Sequence, residues 1–124
     1  MKKILPLILI VLILTGCSKY PSHYNAVGFV HSNDSSSEFM DFHSFDGSIS
    51  FKLKAGEQLE YSGKLDIGSA TVYYDCDGSK KELFEINSGE EVDSSVDTPG
   101  GGSLYIIVET GEKCEDGEMK FEVK

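Results

Sequence analysis

Strict alternation of apolar and polar side chains constrains this chain more than any other feature. In "SISFKLKAG", Ile49, Phe51 and Leu53 point one way while Ser50, Lys52 and Lys54 point the other. The stretch "ATVYYDC" sets Ala70, Val72, Tyr74 and Cys76 against Thr71, Tyr73 and Asp75. In "SLYIIVE" the apolar set is Leu104, Ile106 and Val108, and in "EMKFEVK" it is Met119, Phe121 and Val123. A period of two places one set on each face of a strand, so each run is a half-buried β-strand. Weaker runs of the same kind are "EFMDFHSF", "EQLEYSG", "KLDIG", "KELFEIN" and "EEVDSSV". No stretch keeps helical spacing. Asp46-Gly47, Asp77-Gly78 and Asp116-Gly117 fall between runs, and Asp-Gly pairs tolerate the positive φ of tight hairpins. The expectation is an all-β domain over 38–124: a single antiparallel β-sandwich, jelly-roll-like, of eight or nine short strands.

The first residues obey a different rule. Lys2 and Lys3 precede an eleven-residue apolar run, Ile4 to Leu14. As a helix, that run would reach about 16 Å, short of a hydrocarbon core about 30 Å thick. It therefore has the form of a signal-peptide core rather than a membrane span. The residues that follow, Leu14-Thr15-Gly16-Cys17, resemble the lipobox of bacterial lipoproteins. The resemblance implies a diacylglycerol with palmitate-type chains on the Cys17 thiol and cleavage between Gly16 and Cys17. The protein would then be held at the cell membrane, facing outside the cytoplasm. Two acyl chains suffice for stable anchoring, where one binds marginally.

Charge bears on partners. All eleven basic residues are lysine, and they stand against 21 acids. Removal of residues 1–16 takes Lys2 and Lys3 with it, leaving nine lysines and a formal charge of −12. This balance argues against nucleic acid, which needs clustered cations. It also implies repulsion from an anionic bilayer within a Debye length, about 8 Å at physiological salt. A spacer is expected, and residues 17–37 supply a Ser-, Asn- and Pro-containing one ending in "SNDSSS". Within it, "AVGFVHS" has strand character and is a candidate to dock on the domain edge.

With Cys17 assigned to lipid, Cys76 and Cys114 remain. An exported pair flanking hairpin turns is a disulfide candidate, with two buried free thiols as the alternative. A bridge closing a loop of about 39 residues would stabilise by about 4 kcal/mol.

The order "FKLKAGEQLEYS", "GSATVYYDCDG", "GGSLYIIVETG" and "GEMKFEV" resembles small uncharacterised extracytoplasmic lipoproteins of Gram-positive bacteria. It is similar, more distantly, to the bacterial pre-peptidase C-terminal domain. The matching positions are Ala55-Gly56-Glu57, Asp77-Gly78, Gly102 to Val108 and Gly117 to Val123. The resemblance implies a β-sandwich and carries no catalytic residue.

No reaction is written into the pattern. "DCDG" begins like a calcium loop, but Ser79, Lys80 and Ile86 stand where an EF-hand needs an acid or Asn, Gly and Glu. A hairpin turn accounts for it better. His23, His31 and His43 fit no zinc spacing, and no Gly-x-Ser-x-Gly is present. No metal, cofactor or catalytic residue is expected, and the body is read as non-enzymatic.

Binding is the remaining class. If the inward sets are as above, Tyr73, Tyr105 and Ile107 share the opposite face. They form either an exposed binding patch or a surface covered by Val27 and Phe29 of the N-terminal segment. The expected function is a membrane-anchored lipoprotein with a structural or partner-binding sandwich, the partner being an envelope protein. The alternative is a carbohydrate-binding lipoprotein, which the absence of Trp disfavours.

Overall fold

The computed structural model describes residues 20–98 and 102–124. It is all-β, with seven antiparallel strands: β1 (His23–Val27), β2 (Val30–Asp34), β3 (Ser37–Lys54), β4 (Gln58–Asp75), β5 (Lys81–Asn87), β6 (Glu90–Asp97) and β7 (Ser103–Val123). The sheet order is β1-β3-β7-β4-β5, with β2 also on β3 and β6 also on β4.

Three strands are unusually long. β3 and β4 each run 18 residues and β7 runs 21, against about 3–10 for common strands. Each changes its inward parity midway. In β3, Glu38, Met40 and Phe42 are buried, and beyond Phe45 the buried set becomes Ile49, Phe51 and Leu53. In β4 it passes from Leu59 and Leu65 to Ala70 and Val72. In β7 it passes from Leu104, Ile106 and Val108 to Met119 and Phe121. The register breaks at the same level, between Phe45 and Ser48 in β3 and between Ile67 and Ala70 in β4. An extra residue in a strand turns its pleat over and bends it, so bulges let one strand pass from one layer to the other. Gly47 (φ 133°), Gly68 (φ 111°) and Asp116 (φ 53°) supply the left-handed backbone at these bends.

Bending folds the single sheet double. The first limb combines β2, β6, the 37–45 part of β3, the 58–67 part of β4 and the 114–123 part of β7. The second limb combines β5 with residues 48–54, 69–75 and 103–109 of the same long strands. The free ends of the limbs meet. Lys54 N–H, at the end of the second limb, donates to Ser35 O beside the first (2.7 Å), and residues 55–57 run from one limb to the other, where Glu57 N–H donates to Lys124 O (2.9 Å). One continuous core lies between the layers, from Met40, Phe42 and Phe45 through Leu59 and Val72 to Ile106, Met119 and Phe121.

The all-β antiparallel sandwich is therefore present, with the short alternating runs joined into longer strands. Asp46-Gly47 and Asp116-Gly117 are not hairpin turns. Asp46 pairs with Asn25, and Gly117 pairs with Phe42 and Leu65, all inside strands. The tolerance of positive φ that suggested turns serves bulges there. Only Asp77-Gly78 joins two strands.

Residues 23–34, read from sequence as part of the spacer, form β1 and β2 along the free edge of β3. Tyr24, Phe29 and His31 follow that edge inward: Tyr24 meets Phe45 at 5.2 Å, Phe29 meets Phe45 at 5.8 Å and His31 meets Phe51 at 6.0 Å. Phe29 is the half-buried member of the three, and its packing on the core rim helps offset the entropy of ordering a polar segment.

Candidate functional site

Register assigns the outer face of each limb. Residues directly opposite on paired strands share a face. On the second limb the outer rows are Ser50–Ile107–Tyr73 and Lys52–Tyr105–Asp75. The three patch residues, Tyr73, Tyr105 and Ile107, are thus brought together as expected.

They do not form an open apolar patch. Ile107 is 2 % exposed, and the two tyrosines are half-buried. The cover is not Val27 and Phe29, since Val27 is 61 % exposed and Phe29 packs on Phe45. It is Tyr20 and Lys80. The Tyr20 ring meets Tyr105 edge-on at 5.6 Å, and its hydroxyl donates to Asp75 Oδ2 at 2.7 Å. Lys80 Nζ sits 4.3 Å from the Tyr73 ring centroid and 2.7 Å from Glu109 Oε2. The Ser50 hydroxyl donates to the Tyr20 carbonyl, and Ser50 N–H donates to Ser22 Oγ at 3.0 Å. The chain entering the fold is thereby clasped to this face by a phenol, a hydroxyl and a backbone carbonyl. No local pattern marks Tyr20 or Lys80; their role follows from the register of strands far along the chain.

Asp75 is the hub of the clasp and is 2 % exposed. Besides Tyr20, it accepts N–H bonds from Asp77 (3.2 Å) and Gly78 (2.7 Å). This is an Asx-type turn that ends β4, and it is how the structure uses "DCDG". Among the described residues, no group of three or more His, Cys, Asp or Glu is placed to hold a metal ion.

The expected disulfide is absent: Cys76 and Cys114 are both free. Cys76 follows Asp75, which pairs with Tyr105 near the free ends of the limbs, whereas Cys114 lies beyond the bend of β7. The six strand steps from Tyr105 to Gly111 alone span about 20 Å. A disulfide needs Cα atoms within about 7 Å. Both cysteines flank Asp-Gly pairs, but only one of those pairs is a turn, so the inferred proximity fails. Cys114 is fully buried, and desolvation pushes its thiol up to about 11.

Two histidines sit beside carboxylates in separate places. His43 Nδ1 lies 2.9 Å from Asp116 Oδ1 at the exposed bend. His31 Nδ1 lies 3.2 Å from Glu38 Oε2, while Asn33 Nδ2 donates to Glu38 Oε1 at 2.7 Å. Glu38 is 1 % exposed, and burial raises its carboxyl above the ordinary value against the lowering effect of Asn33 and His31.

The outer face of the first limb differs in kind. Its rows are Ser37–Glu122–Glu60–Ser95, Phe39–Lys120–Ser62–Asp93 and Asp41–Glu118–Lys64–Glu91. An open cleft of about 430 Å³ lies over its bend end, between Asp41, Asp66, Glu90 and Glu118. A second of about 220 Å³ continues from it, lined by Phe39, Ser62, Gly63, Asp93 and Lys120. The two share Lys64, Glu91 and Glu118, so they form one groove with acidic walls.

Residues 1–18 match the family described as the prokaryotic membrane lipoprotein lipid attachment site. Gly16 and Cys17 lie in that match and outside the described residues. The chain is on this ground a lipid-anchored, membrane-associated lipoprotein. No curated protein matches the sequence. Among solved structures it is similar to TmCBM61 in complex with beta-1,4-galactotriose (16 % identity, TM-score 0.47, covering 82 % of this chain and 84 % of that one). It is also similar to protein NMB1881 from Neisseria meningitidis (14 %, 0.41, 81 % and 87 %). A cupin superfamily protein from Desulfitobacterium hafniense is a third (12 %, 0.36, 83 % and 77 %). These differ from the two families that the sequence motifs resemble. At such identities no ligand or activity passes to this chain.

Proposed function

We propose that this protein is an envelope lipoprotein, held through a diacylglycerol on Cys17 and facing outside the cytoplasm, whose sandwich is a non-catalytic partner-binding module. Its partner is an envelope protein that presents positive charge to the outer face of the first limb. One observation carries the reading. Of the two broad outer faces, the second limb's is occupied by the chain's own Tyr20 and Lys80, while the first limb's holds the open groove. The groove is lined by Asp41, Asp66, Glu90, Glu91, Asp93, Asp116 and Glu118 against Lys64 and Lys120, so it complements a cationic surface. Of the aromatic side chains a sugar would stack on, Tyr61 lies on Phe84 and Tyr20 on Tyr105, which leaves Phe39 and the buried Phe42 as the aromatics lining the groove.

Photo-crosslinking on intact cells tests this. A crosslinker at Asp93, in the groove, is expected to capture one discrete envelope protein. A crosslinker at Glu85, on the other limb, is expected not to capture it. The double charge reversal Asp66→Lys, Glu91→Lys should abolish the adduct without releasing the protein from membranes. Cys17→Ser should release it. Adducts equal at both positions, or adducts only to glycan, would overturn the proposed partner.

A further inference from the structure

The clasp puts a geometric limit on the anchored molecule. Three peptide units separate Cys17 from Tyr20, and a trans chain covers at most about 3.6 Å per residue. The lipidated residue therefore lies within about 11 Å of the Tyr20 backbone, which is fastened to Ser50 in the second limb. The spacer expected from composition does not all lie between anchor and body, because residues 23–34 of it run along the edge of β3 as β1, β2 and their turn.

A body of formal charge −12 held this close to an anionic bilayer sits near one Debye length, about 8 Å, from it. Its orientation then follows from which face is least repelled. Around Tyr20 the second limb presents Tyr20, Tyr73, Tyr105, Lys52 and Lys80. Of the carboxylates on this face, Asp75 is engaged by the Tyr20 hydroxyl and its turn amides and Glu109 by Lys80, while Glu82 and Glu85 stand exposed toward the β5 edge, opposite Tyr73 and Thr71. Tyrosine and lysine both suit a headgroup layer, since each has an apolar body and a polar tip. The first limb presents six carboxylates in three rows on the opposite side.

We propose that the outer face of the second limb, centred on Tyr20, Tyr105 and Lys52, is the surface that lies on the bilayer, with Tyr20 docking the anchored stem against it. The inference rests on lipidation of Cys17. It turns the acidic groove away from the membrane, independently of what occupies that groove.

Lysine footprinting tests the orientation. The lipidated full chain is added to preformed vesicles of phosphatidylcholine and phosphatidylglycerol. It is then acylated with a membrane-impermeant amine reagent and compared by mass spectrometry with the unlipidated Cys17→Ser protein in solution. Modification of Lys52 and Lys80 is expected to fall at least threefold on vesicles, while Lys64 and Lys120 remain unchanged. Equal protection of both pairs, or protection of Lys64 and Lys120 instead, overturns the proposal. With Tyr20→Ala, vesicle binding should persist and the protection of Lys52 and Lys80 should drop to that of Lys64. Retained protection would remove Tyr20 from the docking role. An unchanged unfolding midpoint in that variant shows the sandwich intact. Failure of the wild type to bind vesicles would overturn the anchor itself, an outcome distinct from binding without protection.

Discussion

Tyr61 and Phe84 stack with their ring centroids 5.2 Å apart and their planes 9° from parallel. Tyr61 belongs to the first limb, while Phe84 belongs to β5 at the edge of the second. Their contact closes the sandwich on the side away from β1 and β2. Phe84 is 8 % exposed, and its removal leaves a space the bent strands cannot collapse into. Phe84→Ala should lower unfolding stability by about 3 kcal/mol, read as a reduced urea midpoint at unchanged slope. A loss below about 1 kcal/mol would show that the layers do not depend on this contact.

The bends predict a graded glycine series. A Cβ on Gly47 would come within 2.6 Å of Tyr24 Cα, and one on Gly68 within 2.7 Å of Cys114 Cα. Gly78 and Gly89 also have positive φ but open space around them. Gly47→Ala and Gly68→Ala should each cost about 2 kcal/mol or more, through backbone strain plus clash. Gly78→Ala and Gly89→Ala should cost about 1 kcal/mol, from strain alone. Thermal unfolding of the four variants gives the order, and equal losses would contradict the bend geometry.

Thiol chemistry separates the two cysteines. Cys114 is buried with its thiol pushed up to about 11, and its Sγ lies 3.4 Å from the carbonyl oxygens of Ser69 and Glu112. At pH 8, iodoacetamide should alkylate the half-buried Cys76 in the native protein and reach Cys114 only on unfolding. Mass spectrometry before and after denaturant counts the adducts. A species 2 Da lighter that resists alkylation would reveal a bridge and refute the free-thiol state.

Glu38 sets a pH dependence. Its folded carboxyl titrates above the ordinary value, chiefly because burial disfavours the charged form. The stability it contributes is full below the unfolded value near 4.5 and is lost as pH rises through the raised folded value. Glu38→Gln keeps an acceptor for Asn33 and removes the buried charge. The variant should be more stable than wild type at pH 7, and the gap should shrink toward zero by pH 4.5. The remaining acids act on both proteins alike, so the difference between the two melting curves isolates this group. A gap constant with pH would disprove the assignment.

Much of the layout was legible in the chain. Ile49, Phe51 and Leu53, or Leu104, Ile106 and Val108, declare their inward face through alternation, because a strand's side chains must point to opposite sides. Tyr73, Tyr105 and Ile107 shared a face for the same reason. What the alternation hid was its own change of parity. A bulge at Gly47 or Asp116 and a hairpin turn use the same left-handed backbone, so Asp-Gly pairs inside strands look like ends of strands. The disulfide was lost to that ambiguity.

The chain by itself determined an anchored, acidic, all-β protein. The lipid attachment site is read by its local residues, and period two is a property of a single strand, so neither needs a partner. Only the tertiary structure decided that three strands bend through both layers, that the supposed spacer seals the β3 edge, and that Tyr20 reaches Asp75. Each of these is a contact between residues far apart in sequence. Its free energy depends on which surfaces the folded sheet leaves uncovered, and no local pattern of residue types contains that information.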